Sequence, residues 1–117
     1  MNTYQSADLR QRLLALMDRH SGKNNAITRR ELRRILGVPD NEDRQFRLLI
    51  EELRLQGVPI LSSANKPAGY YLPENLAELQ TGIVQMRSYV ISLCKIMRSF
   101  RINGHRYLNG ELQRRLL

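Results

Sequence analysis

One cysteine, no tryptophan, two phenylalanines and four prolines in 117 residues close off several classes of protein at once. A lone Cys94 cannot make an internal disulfide, so the chain is not a stapled secreted scaffold and suits a reducing cytosol. No apolar run approaches the roughly 20 residues that span a bilayer. The opening MNTYQSADLR has no apolar signal-peptide core. The expectation is a soluble intracellular protein, cytoplasmic or nucleoid-associated, with no membrane partner. His20 and His105 stand alone, without a carboxylate pair, Cys–His spacing, metal-ligand cluster or glycine-rich phosphate loop beside them. The sequence therefore predicts no enzyme, no metal site and no cofactor.

Acid is scarce as well. Nineteen Lys and Arg face eleven Asp and Glu, for a net charge of +8. That balance favours a polyanionic partner, most often nucleic acid, although acidic proteins and membranes also attract basic surfaces. Most of the cations are Arg, whose planar fork fits phosphate and guanine. The excess is spread evenly: residues 1–73 hold twelve cations and eight anions, residues 74–117 seven and three.

What is present is enough apolar residue, 42%, for one core in a chain of this length. Leu9, Leu13, Leu16 and Met17 recur at helical spacing and predict a helix from Ala7 to Arg19, capped by Ser6. A polar loop, HSGKNN, follows. TRRE at Thr28–Glu31 reads as a capping box opening a second helix, with Leu32, Ile35 and Leu36 as its buried stripe and Gly37 as its stop. After the turn VPDN, a third helix runs from about Glu42 to Gln56, capped by Asn41 or Asp40. Its inward face is Phe46, Leu49, Ile50 and Leu53, and Gly57 ends it. Two short β runs, Ile60–Ser62 and Tyr70–Leu72, flank a loop holding Asn65, Lys66, Pro67 and Gly69. Ala26 and Ile27 can add a very short third strand.

From Glu74 to about Arg101 the chain reads as one long helix. Leu76, Leu79, Ile83, Met86, Val90, Leu93, Met97 and Phe100 alternate spacings of three and four, a heptad seam. Its e and g positions carry Gly82, Tyr89, Cys94 and Ile96 in place of paired charges. A helix apolar around so much of its circumference must be covered on more than one side. One side can lie on its own domain; the other asks for a second chain, so residues 74–102 read as a dimerisation helix. Ile83, Met86, Val90, Leu93, Met97 and Phe100 are the candidate interface, and Cys94 reads as a small buried apolar residue. Residues 103–117 read as a basic tail or short helix, with turns at NGH (103–105) and at Asn109–Gly110 and a stripe of Leu108, Leu112 and Leu116.

DRQFRLLIEELRLQGVPI, the Lys-Pro-Gly loop and the closing GYYLP together resemble a winged helix-turn-helix domain. The likeness is to those of phage, prophage and bacterial DNA-binding proteins. It covers about residues 7–73 of a domain spanning 1–73. It implies a mainly helical fold with a small β-hairpin, and double-stranded DNA as partner. In that family the third helix enters the major groove and the wing touches backbone or minor groove. Carried onto this chain, Asn41, Arg44, Gln45 and Arg47 begin the reading helix, with Leu48 exposed on the same face, able to meet a thymine methyl or a protein. Arg44 would read guanine and Gln45 adenine through paired hydrogen bonds. On the second helix Arg29, Arg30 and Arg33 are candidate phosphate contacts, and Lys66 is the candidate on the wing.

The residues allow plainer readings beside that one. An Arg-rich helix face is often only solvated surface, and Arg47 is spaced to pair with Glu51. One ring of Tyr70 and Tyr71 belongs to the core, and Asn65 and Gly69 serve as turn residues. Glu42, Asp43 and Glu51 put negative charge near the reading surface. Three roles stay open at this point. They are a homodimeric transcriptional regulator, with repression favoured; a protein-interaction module such as a phage-encoded inhibitor of a host protein; and a replication-initiation accessory factor.

Overall fold

The computed structural model describes residues 7–110. The chain divides into two compact units, Met1–Gly82 and Ile83–Leu117. In the first, α1 (Ala7–Met17), α2 (Arg29–Leu36) and α3 (Asp43–Leu55) are followed by an antiparallel hairpin of β1 (Leu61–Ser63) and β2 (Gly69–Tyr71). The helix α4 (Leu76–Leu108) begins in this unit and supplies the second. No helix among the described residues is long and apolar enough to cross a membrane.

Helical spacing explains the core of the first unit. Leu9, Leu13 and Met17 of α1, Leu32 and Leu36 of α2, and Phe46, Leu49, Ile50 and Leu53 of α3 are all buried in one cluster. Val38, between α2 and α3, joins them, as does Ile60 before β1. The predicted stripe of α2 needs one correction. Ile35 is 43% exposed, and the buried neighbour of Leu32 is Arg33, whose guanidinium meets two carboxylates described below. α1 ends at Met17, two residues earlier than the periodicity suggested, and its expected cap Ser6 lies outside the described residues.

The ends of the elements follow local chemistry. Thr28 caps α2, its Oγ1 accepting from the Glu31 backbone N–H at 3.1 Å. The second half of the expected capping box is absent, because Glu31 turns to Arg34, whose Nε donates to it at 3.0 Å. A charged donor outbids a backbone one. Gly37 closes α2 in the left-handed region, φ 75°. A 3-10 turn at Asp40–Glu42 precedes α3, so neither Asp40 nor Asn41 caps it.

The two strands of the hairpin are each displaced one residue from their predicted bounds, towards the loop, and pair Leu61 with Tyr71 and Ser63 with Gly69. Ile27 joins it as an isolated bridge, exchanging backbone hydrogen bonds of 2.7 and 2.9 Å with Tyr70. Here Gly69 is more than a turn residue. Its φ is +128°, and a Cβ there would fall 2.1 Å from the Ile27 carbonyl oxygen. Of the two tyrosines, Tyr71 is core at 3% exposure and Tyr70 lies half-buried. Burial, with Glu78 nearby, raises the Tyr71 phenol above its ordinary range.

Asn75 opens α4, its Oδ1 accepting from the Glu78 N–H at 2.9 Å while Glu78 Oε1 accepts from the Glu74 N–H at 3.0 Å. Gly82 is buried because Leu61 fills the space a side chain would need: a Cβ would stand 2.7 Å from Leu61 Cδ2. The helix then runs seven residues past the predicted end at Arg101, straight through Asn103-Gly104-His105. One internal glycine costs a helix only about 1 kcal/mol. It stops before Asn109 and Gly110, the latter at φ 82°. Of the stripe expected beyond it, Leu112 and Leu116 lie outside the described residues.

Candidate nucleic-acid interface

α2 and α3 are joined through one carboxylate. Asp43, the first residue of α3, accepts from Arg29 Nε at 2.7 Å through Oδ1. Arg33 Nη1 donates to Asp40 Oδ1 at 2.7 Å. Arg33 Nε lies 2.9 Å from Asp43 Oδ1 but makes no hydrogen bond there, so that contact is an ion pair only. Arg47 approaches the other Asp43 oxygen at 3.6 Å. The Arg29 hydrogen bond, aided by the charges of Arg29, Arg33 and Arg47, holds the Asp43 carboxyl below its usual range.

This cluster sorts the candidate arginines. Arg33, with its side chain only 10% exposed and two acids beside it, braces the two helices. Arg29 is half-buried and also committed to Asp43, with Nη1 3.5 Å from the Tyr70 hydroxyl. Arg47 pairs with Asp43 and not with the expected Glu51, since an acid one turn N-terminal to a cation is the better-oriented pair. Among the described residues, Arg30, Arg44, Gln45 and Lys66 are exposed and have no hydrogen-bond or ion-pair partner. Asn41 and Leu48 are exposed as well. The candidates thus divide into brackets and free groups, all within the first unit.

Arg54 was not a sequence candidate, yet it fixes the hairpin to the end of α3. Its Nε donates to the Ile60 carbonyl at 2.7 Å and its Nη2 to Ser62 Oγ at 2.9 Å. The guanidinium carbon stands 5.6 Å from the centre of the Tyr70 ring. The only sequence signal was an Arg in the last helical turn, which most helices show for dipole reasons. Between the start of α2 and the hairpin lies an open cleft of about 380 Å³, lined by Arg29, Arg30, Ser62, Ser63 and Tyr70 among others.

In the second unit the seam residues are uncovered: Ile83, Met86, Val90, Leu93, Met97 and Phe100 are 39–71% exposed. No residue from Ile83 to Ile102 is buried. Cys94, read from the sequence as buried, is exposed and unpaired as a thiol, because the apolar helix around it has no cover. Among the described residues no group of three His, Cys, Asp or Glu could hold a metal ion.

No protein-family model matches this chain, and no curated protein or solved structure shows significant similarity to it.

Proposed function

We propose that the first unit is a winged helix-turn-helix domain that binds double-stranded DNA, and that the chain acts as a homodimeric transcriptional regulator, a repressor in the favoured case. The observation that carries this reading is the division among the arginines. Arg29 and Arg33 hold α2 against α3 through Asp43 and Asp40, while Arg30, Arg44 and Lys66, on α2, α3 and the hairpin loop, have no intramolecular partner among the described residues. A preorganised frame with uncommitted cations suits a phosphate-lined ligand. In this reading α3 enters the major groove, where Arg44 and Gln45 read base edges. Arg30 and Lys66 grip phosphate, and the hairpin reaches the backbone or minor groove. The uncovered seam of α4 joins two copies, so that two half-sites are read. No reacting group is assigned, and no metal or cofactor takes part.

A specific observation supports a second reading. Leu48 and Leu55, two turns apart on α3, are 52% and 82% exposed. With Glu51 between them they suit a protein partner as well as a groove, which fits a protein-interaction module. Selection from a pool of random duplexes separates the two. Recovery of a two-fold symmetric consensus supports the regulator, and an unenriched pool rejects it.

A further inference from the structure

We infer that the α4 helices of two copies pair antiparallel, centred on Leu93. The inference rests on the self-association proposed above and adds its direction. Beyond Phe100 the seam keeps its alternating spacing through Gly104 to Tyr107, which places Leu93 midway between Leu79 and Tyr107. Reversed about that point, Met86 meets Phe100 and Ile83 comes level with Asn103, next to Gly104, so the Phe100 ring faces a slimmer side chain. A parallel pair sets Phe100 on Phe100 and leaves Gly104 opposite Gly104.

The flanks of the seam differ, and this decides the direction. One side carries Tyr89 and Ile96, 66% and 48% exposed; the other carries Arg87, Cys94 and Arg101. Parallel helices bring opposite flanks together, setting Tyr89 and Ile96 beside the cysteine and arginine of the second copy. Antiparallel helices bring like flanks together, so Tyr89 covers Ile96 of the second copy and the arginines keep to the wet side.

Charge points the same way. No carboxylate stands between Glu78 and Glu111, and Lys95, Arg98, Arg101 and Arg106 all follow the midpoint, with Arg87 alone before it. A parallel pair aligns the two cation-rich halves; an antiparallel pair sets each beside a nearly neutral half and opposes the helix dipoles. Arg87 approaches Arg101 on the wet flank, where salt screens them, so association strengthens as ionic strength rises. An acidic helix from another protein would satisfy the charge but not the self-matching seam. With a rise of 1.5 Å per residue, the two Gly82 positions then lie about 33 Å apart along the helix pair.

Pulsed electron resonance on spin-labelled protein tests this. In a Cys94→Ser chain, labels at Thr81→Cys or Asn109→Cys sit on exposed positions. The antiparallel pair gives inter-chain separations of about 36 Å and about 48 Å along the helix axis respectively. Separations under about 20 Å at both sites, roughly two helix diameters, overturn the direction and leave self-association standing. An absence of any inter-chain distance at micromolar protein overturns both.

Discussion

Arg29 donates through Nε to Oδ1 of Asp43 at 2.7 Å, a single bond that ties the first turn of α2 to the first turn of α3. The same oxygen faces Arg33, which is buried. Asp43→Ala leaves Arg33 with Asp40 alone, and a lost charged hydrogen bond of this kind costs about 1.5–3 kcal/mol. Urea denaturation would measure the loss, and an unchanged midpoint would contradict the bracing role.

The pH dependence has a definite sign. The folded-state pKa of Asp43 is lowered, first by the Arg29 hydrogen bond. Its contribution is therefore present above the unfolded value of about 3.9 and is lost as pH falls through the folded value. Urea midpoints should fall more steeply below about pH 4 in the wild type than in Asp43→Asn. Parallel curves would remove Asp43 from the account.

Gly69→Ala places a methyl 2.1 Å from the Ile27 carbonyl at a φ of +128°. The bridge between Ile27 and Tyr70 must open, and overpacking with backbone strain costs about 1–3 kcal/mol or more. Thermal melting should drop accordingly, whereas a melt equal to the wild type would show that the strand approach is not tight.

Arg54→Met keeps the aliphatic stem but removes the donors to Ile60 and Ser62. The helical core should hold while the hairpin loosens, read as faster amide exchange at Ser63 and Tyr71 than in α3. Uniform acceleration across the unit would instead make Arg54 a general stabiliser.

Local periodicity made the helices and most of the core legible, because Phe46, Leu49, Ile50 and Leu53 can share only one face of α3. Gly37, Thr28 and the hairpin loop were equally readable from residue type. Pairing across the chain was not. Asp43 sits beside Arg44 and Arg47 in sequence, and nothing there says that Arg29 and Arg33 will reach it from another helix. Arg33 was assigned to the surface because a lone Arg has no burial signal, and Ile35 to the core because its type outweighed its angle. Cys94 illustrates the same limit: a cysteine on an apolar helix is buried only if something covers the helix. Gly104 read as a turn because a glycine between polar residues looks alike in a loop and within a long helix.

The division between bracing and reading residues gives distinct binding phenotypes. Arg44→Ala and Gln45→Ala should lose about 1–3 kcal/mol of discrimination between cognate and mismatched duplex. Lys66→Ala and Arg30→Ala should weaken all duplexes alike and lower the salt slope by about 0.9 each. Equal effects from both classes in fluorescence anisotropy titrations would contradict the assigned roles.

The most direct measurement is the affinity of the unmodified protein for cognate and scrambled duplexes across a series of salt concentrations. Binding to the cognate duplex should be tighter at every salt, with log Kd rising against log salt at a slope of about 2 or more per copy. Equal affinity for both duplexes with a slope near zero would contradict it.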